Sequence, residues 1–168
     1  EISEKEVEIL KQNGYSYTIL IDDMSSFYKL RNEQDKLTEI ESTSTSKEVL
    51  AYTTPVNFSY GSMGNFLTLT EINAELDKMA SLYPNLVTAK TQIGTKTSVE
   101  GRPIYYVKIS DYPNNDDSQE PDVLFNALHH AREPVGMANT IFYMYYLLEN
   151  YNTNDSIKFL VDNTELFF

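Results

Sequence analysis

The chain has no cysteine and no tryptophan, and only two of its 168 residues are histidine. The lack of cysteine excludes disulfide bonds and thiolate metal ligands. It does not fix the compartment, because secreted bacterial proteins also often lack cysteine. Both histidines, His129 and His130, are neighbours, so any imidazole chemistry is confined to one short stretch.

Positive charge and long apolar runs are also scarce. The 13 Lys and Arg residues face 25 Asp and Glu residues, which gives a net charge of −12. Such a charge repels phosphate backbones and anionic lipids, so neither nucleic acid nor a membrane is an expected partner. No apolar run approaches the ~20 residues that span a bilayer. The first residues of the sequence lack the basic-then-apolar pattern of a signal peptide, but Glu1 need not be the native start. Its 41% hydrophobic residues are enough for a globular core of about one domain.

One stretch carries the chemistry, and it begins with a strand. Val123 to Leu128 is nearly continuous in apolar residues, which is typical of a central strand covered on both faces. Pro134 predicts the start of a helix with Glu133 as its cap. His129 to Glu133 is therefore predicted to form a strand-to-helix turn at the carboxyl end of the strand, where open α/β sheets bind ligands.

Two potential zinc ligands stand in this turn. His130 and Glu133 are three residues apart, and a bend can direct both side chains at one ion. A His-x-x-Glu pattern alone is weak, and the alternative is a capped helix start with a surface histidine. The position after a buried strand favours a metal site.

The same residues resemble a known family. His130-Ala131-Arg132-Glu133, between Ala127-Leu128 and Pro134, is similar to the His-x-Arg-Glu zinc signature of metallocarboxypeptidases related to carboxypeptidase A. Residues 100–110, with Gly-Arg-Pro at their start, resemble a strand of that family. The resemblance implies an α/β fold with a mixed central sheet, helices on both faces and part of the domain missing. It also implies a zinc cofactor and a peptide or protein substrate bound through its carboxyl terminus.

The resemblance gives these residues roles. It implies that His130 and Glu133 are zinc ligands and that Arg132 contacts substrate, although a structural salt bridge is an equal alternative for Arg132. Strand alternation points His129 away from His130 and predicts a packing or outer-shell role. Asn126 is expected to form a hydrogen bond within the strand.

The family's second zinc histidine, general base and carboxylate-binding arginines lie beyond the matched stretch. No histidine follows His130. We therefore expect no catalytic residue on this chain, weak zinc binding and no activity without the remainder of the catalytic domain. The resemblance also implies a secreted or periplasmic protein.

Residues 1–31 are predicted to form a small α/β pro-segment. Ser3 and Glu6 form a capping box for a short helix, residues 15–21 alternate like a strand, and Asp22 and Asp23 cap a second helix. Residues 9–23 resemble the end of a procarboxypeptidase activation domain, which shields the cleft until it is removed. The alternative is a packing extension without an inhibitory role.

Residues 32–58 are rich in polar residues and are predicted to be a linker, and residues 59–168 are predicted to be the amino-terminal part of the catalytic domain. Candidate cleavage points in or beside the linker are Arg31, Lys36 and Lys47. The second part has further predicted elements: a helix from its cap Thr70 to Pro84, a hairpin of 86–93 and 102–110, a loop at 112–120, a buried helix at 137–151, a short helix at 157–161, and a frayed strand at 164–168.

Asp116 and Asp117 in this loop offer a calcium alternative, but a solvated loop is favoured because calcium needs six or more oxygens. Two other functions are compatible with the pattern. One is a related zinc amidohydrolase, either a cell-wall peptide carboxypeptidase or a deacylase, and the other is a binding module without catalysis.

Overall fold

A computed structural model describes residues 2–42 and 53–168. In that part of the chain it forms five helices and five short strands in two small sheets. None of these helices is both long and apolar enough to cross a membrane. The elements are α1 (Glu4–Gln12), α2 (Met24–Ser42), α3 (Leu69–Leu82), β1 (Thr91–Thr97), β2 (Pro103–Tyr106), β3 (Lys108–Ile109), β4 (Asp122–Leu124), α4 (Pro134–Asn150), α5 (Asp155–Val161) and β5 (Glu165–Phe167).

The helix starts follow local capping chemistry. The capping box of Ser3 and Glu6 begins α1 as predicted. The predicted cap of α3 was wrong, because Thr68 takes that position and not Thr70. Thr68 has a glutamate three residues later, and the Thr68 amide donates to the Glu71 carboxylate over 2.7 Å. Thr70 has no acidic or glutamine residue at that spacing, so it cannot form the reciprocal pair.

The amino-terminal part differs from the prediction in two places. Asp23 caps α2 as expected, but the helix continues to Ser42, so the linker prediction was wrong for its first part. Lys47 and the rest of residues 43–52 lie outside the described residues, and the domain boundaries stay a prediction. The strand predicted at 15–21 was also wrong, since these residues are exposed and pair with no strand in the described chain. Alternation favours a strand only where a neighbouring strand supplies hydrogen bonds.

A mixed three-stranded sheet supports the centre of the molecule. Its order is β3-β5-β4, with β3 antiparallel and β4 parallel to β5. This confirms the predicted mixed α/β fold. β1 and β2 form the predicted hairpin, although β1 starts only at Thr91 and the second predicted strand is divided at Val107 into β2 and β3.

The roles of the two apolar strands are exchanged relative to the prediction. β4 is three residues long and pairs on one side with β5 among the described residues, and its Leu124 is 67% exposed. It is therefore not the covered central strand. β5 was predicted to fray, but it lies between two neighbours and its Leu166 is 1% exposed. Position between two hydrogen-bonded strands, and not apolar content, makes a strand central.

The core lies between α4 and the three-stranded sheet, closed by α3 and α5. α4 confirms the prediction of a buried helix, and α5 confirms the short helix that follows it. The buried side chains that form one contiguous cluster are Met79, Val87, Val107, Ile109, Ile141, Met144, Tyr145, Leu147, Leu148, Ile157, Val161 and Leu166.

Helix α2 is fixed to the rest of the chain through Asn32. Its side-chain oxygen accepts a hydrogen bond of 2.8 Å from the Asn65 amide, and its side-chain nitrogen donates to the Gly61 carbonyl over 3.4 Å. Asn32 is only 8% exposed. The Tyr28 ring covers the same turn so closely that a Cβ at Gly64, where φ is +61°, would lie 3.0 Å from it.

Replacing Asn32 with alanine is expected to lower the free energy of unfolding by about 1–3 kcal/mol, since both hydrogen bonds of a buried amide are lost. Urea unfolding measures this loss, and hydrogen exchange at the Asn65 amide locates it. Asn152→Ala is the matched control, because Asn152 is an exposed turn residue. Equal stability of the two variants would contradict a fixing role for Asn32.

Candidate metal centre

The candidate metal centre is built on the turn between β4 and α4. Phe125 continues the strand pairing by donating from its amide to the Phe167 carbonyl over 2.8 Å. The chain then reverses at Leu128, whose φ of +64° is rare for a residue with a side chain. The Glu133 amide donates to the His130 carbonyl over 3.0 Å, and α4 starts at Pro134. The predicted strand-to-helix turn is confirmed.

Glu133 is the residue before the first turn of α4, but its side chain caps nothing. It makes no hydrogen bond to the free amides of the helix. A carboxylate at a helix start usually accepts from these amides. The Glu133 carboxylate is turned toward His130 instead, and its oxygens are not occupied by the amides of the helix.

His130 and Glu133 converge. Nδ1 of His130 lies 3.1 Å from Oε1 and 3.1 Å from Oε2 of Glu133. The two side chains are 77% and 67% exposed. A contact so accessible to water contributes little to the free energy of folding, and it is an ion pair only when the imidazole is protonated.

The separation between these atoms suits zinc. Two donors about 2.1 Å from one tetrahedral ion lie roughly 3.4 Å apart, which is close to the His130–Glu133 distance. Imidazole nitrogen and carboxylate oxygen are both ordinary zinc ligands. The pair therefore fits two positions of a zinc shell with a small outward shift of the side chains.

Within residues 2–42 and 53–168, no group of three or more His, Asp or Glu side chains is arranged to hold a metal. Catalytic zinc usually has three protein ligands. The turn brings together two side chains of types that bind zinc, His130 and Glu133. The calcium alternative at Asp116 and Asp117 gains no support, because Asp117 uses its Oδ1 to accept from the Gln119 amide over 2.9 Å.

Two neighbouring residues, His129 and Asn126, differ from their predicted roles. His129 is exposed, so its predicted packing role was wrong, because the positive φ at Leu128 ends the strand alternation before it. Asn126 is exposed and has no hydrogen bond to the described chain, so its predicted role was also wrong. Arg132 is exposed and forms no ion pair with any described residue, which argues against the salt-bridge alternative.

Sequence reasoning missed a buried ion pair between Lys108 and Glu165. Their side chains are 7% and 1% exposed. The available signal was a charged residue inside each of two apolar strands, in Val107–Ser110 and in Thr164–Phe168. Charged residues are almost never fully buried unless they are paired.

The chain is similar to known zinc carboxypeptidases. A family model described as zinc carboxypeptidase matches residues 72–168. Carboxypeptidase A1 of Sus scrofa is 30% identical over 158 residues, which are 94% of this chain and 33% of that protein. A zinc carboxypeptidase of Saccharothrix mutabilis subsp. capreolus is 35% identical over 97 residues, 58% of this chain and 21% of that protein.

Two solved structures share the fold. The carboxypeptidase A from Helicoverpa armigera has a TM-score of 0.53 at 24% identity and is matched over 98% of this chain and 36% of its own. Thrombin activatable fibrinolysis inhibitor has a TM-score of 0.55 at 17% identity, over 98% of this chain and 35% of its own. The chain thus spans about a third of the length of the relatives that it matches.

Proposed function

This chain belongs to the zinc carboxypeptidase family, and we propose that it supplies His130 and Glu133 as two zinc ligands of a metallocarboxypeptidase that removes carboxyl-terminal amino acids from peptides. The observation that carries the proposal is the 3.1 Å approach of His130 Nδ1 to both oxygens of Glu133. The match to the peptidase family favours this function over a related amidohydrolase or a binding module.

Each residue of the turn has a defined task in this proposal. His130 offers Nδ1, and Glu133 offers one or both oxygens. When bound there, zinc supplies Lewis acidity that polarises the scissile carbonyl and makes water a better nucleophile at neutral pH. The general base and a third ligand are expected from outside the described residues.

Arg132 is proposed to contact the substrate. Its guanidinium is exposed and unpaired in the described chain, and it lies between the two zinc ligands in sequence. A guanidinium presents a planar set of donors that matches carboxylate and carbonyl oxygens. A peptide held there would have its polar groups close to the metal.

We also propose that the amino-terminal segment ends an activation domain of a zymogen and that the protein is secreted or periplasmic. The match to Carboxypeptidase A1 of Sus scrofa covers 158 residues, so it extends well before the family match at residue 72. The contacts of Asn32 with the turn at 61–65 support a docked segment.

A zinc titration of the 168-residue chain tests the ligand assignment. We expect weak binding that shifts the imidazole resonances of His130 but not those of His129, with no hydrolysis of a blocked dipeptide. His130→Gln and Glu133→Gln should each remove the binding, whereas His129→Gln, the matched control, should retain it.

Two results would count against the proposal in different ways. Equal zinc-induced shifts at His129 and His130 would refute the ligand assignment. Turnover of the dipeptide by this chain would refute the expectation that further residues are needed.

A further inference from the structure

The loop between β3 and β4 closes over the buried Lys108–Glu165 pair. The Lys108 ammonium donates to a Glu165 carboxylate oxygen and to the Asn115 carbonyl. The Asp117 amide donates to Glu165 Oε1 over 3.3 Å. Backbone groups of the loop and side chains of the two strands thus meet at one buried centre, which we call the Lys108–Glu165 hub.

The hub holds more negative than positive charge. The Glu120 amide donates to the Asp117 carbonyl over 3.0 Å, and the Glu165 amide donates to the Pro121 carbonyl over 3.1 Å, so Glu120 lies between two residues that contact Glu165. Asp111 and Asp117 belong to the same loop, and Lys108 provides positive charge at Glu165. From β4, Asp122 adds a further carboxylate beside Glu165. Carboxylates gathered in this way cannot all be ionised without a large electrostatic cost.

Two carboxylate oxygens near the hub are in unfavourable surroundings. Oε2 of Glu120 and Oε2 of Glu165 are buried and have no hydrogen-bond partner in the described chain. Glu165 as a whole is 1% exposed. A buried carboxylate oxygen without a donor is unfavourable, and a proton on one of the carboxyl groups relieves both the lost hydration and the repulsion.

We propose that Glu120 is a proton-controlled latch, which holds the loop between β3 and β4 closed on the Lys108–Glu165 hub when protonated and loosens it when ionised. The latch goes beyond the proposed zinc chemistry and does not depend on it. Glu120 precedes His130 by ten residues and is not one of the proposed zinc ligands.

The pKa values of Glu120 and Glu165 are shifted in opposite directions. Burial, together with the charges of Asp111, Asp117 and Glu165, raises the pKa of Glu120 above the ordinary 4.5. Burial opposes ionisation of Glu165 as well, but hydrogen bonds from Lys108 and the Asp117 amide outweigh it and lower the pKa of Glu165.

The sign of the pH dependence follows from these directions. A raised pKa means that the folded chain holds the proton of Glu120 more tightly than the unfolded chain, so this stabilisation is lost as the pH rises through the raised pKa. The stabilisation from ionised Glu165 is lost only as the pH falls through its lowered pKa. The hub is therefore most stable between the two pKa values.

Charged groups from every element around the hub contribute to the electrostatic environment of Glu120 and Glu165. Lys108 comes from β3, Asp111 and Asp117 come from the loop, Asp122 comes from β4, and Glu165 comes from β5. Asp116 is exposed in the same loop and is not among the groups that act on Glu120. It therefore provides a matched control for an acid-to-amide substitution.

Hydrogen exchange at the amides of Asp117 and Glu120 tests the latch, after correction for the intrinsic effect of pH on exchange. In the unmodified chain, the protection of both amides should increase several-fold when the pH is lowered from about 8 to about 5. Glu120→Gln mimics the protonated acid and should give high protection at both values. Asp116→Asn should keep the dependence of the unmodified chain.

The latch is overturned if Glu120→Gln retains the full pH dependence, or if the unmodified chain shows none. Should the glutamine variant fail to fold, a carboxyl carbon titration of Glu120 in the unmodified chain decides the question. A midpoint above that of an unstructured glutamate supports the latch, and a midpoint at or below it refutes it.

Discussion

Replacing His130 with alanine in the natural protein is expected to lower zinc affinity by at least about 100-fold and to remove most peptide hydrolysis. Loss of a group that merely orients a zinc ligand already costs about 10- to 100-fold in metal affinity or activity. Loss of the ligand itself should cost more, since a catalytic zinc has only three protein ligands. Competition with a chromophoric chelator measures affinity, and steady-state kinetics measures hydrolysis.

Variants of Glu133 and Arg132 are expected to distinguish zinc binding from substrate binding. Glu133→Gln should also weaken zinc binding, because a neutral amide is a poorer ligand than a carboxylate. Arg132→Ala should leave zinc affinity unchanged and raise KM, because a substrate contact is lost and no ligand is removed.

His129→Gln is the control for the loss of an imidazole in this turn, because His129 is exposed and placed outside the proposed site. It should resemble the unmodified protein in both assays. A His130→Ala variant with unchanged zinc affinity would contradict the metal centre, whatever its activity.

Replacing Lys108 with methionine is expected to destabilise the fold by about 3–5 kcal/mol. The reason is that Glu165 then stays buried without the ammonium that neutralises it. Urea unfolding followed by circular dichroism measures the change. The double variant Lys108→Met with Glu165→Leu should recover much of the loss, since removing both charges avoids the cost of burying one.

Lys11→Met is the matched control for this prediction. Lys11 lies 3.7 Å from Glu8 on α1, with both side chains more than half exposed, so its loss should change stability far less. If Lys108→Met costs no more than Lys11→Met, the pair does not stabilise the sheet. If the double variant is as unstable as the single one, the cost arises from packing and not from an unpaired charge.

The sequence predicted best those features that depend on neighbours three or four residues apart. The capping box of Ser3 and Glu6, the start of α4 at Pro134 and the spacing of His130 and Glu133 are of this kind. Where local reasoning chose the wrong neighbour, as with Thr70, the same rule applied two residues earlier gave the correct cap.

Features that depend on distant residues were not predictable in this way. The alternating segment at 15–21 has the pattern of a strand, but no described strand pairs with it. α2 extends through residues whose composition favours a linker. Asn32 at its centre is fixed by backbone groups about thirty residues away, which composition does not reveal.

The sequence by itself determined the turn, the closeness of His130 and Glu133 within it and the helix that follows, because these rest on short-range spacing and on backbone restrictions of single residues. Tertiary structure alone decided that β5 and not β4 is the middle strand, and that Lys108 meets Glu165 across 57 positions of sequence. Strand order and charge burial follow from which surfaces pack together in the folded chain, and a local pattern contains no information about that choice.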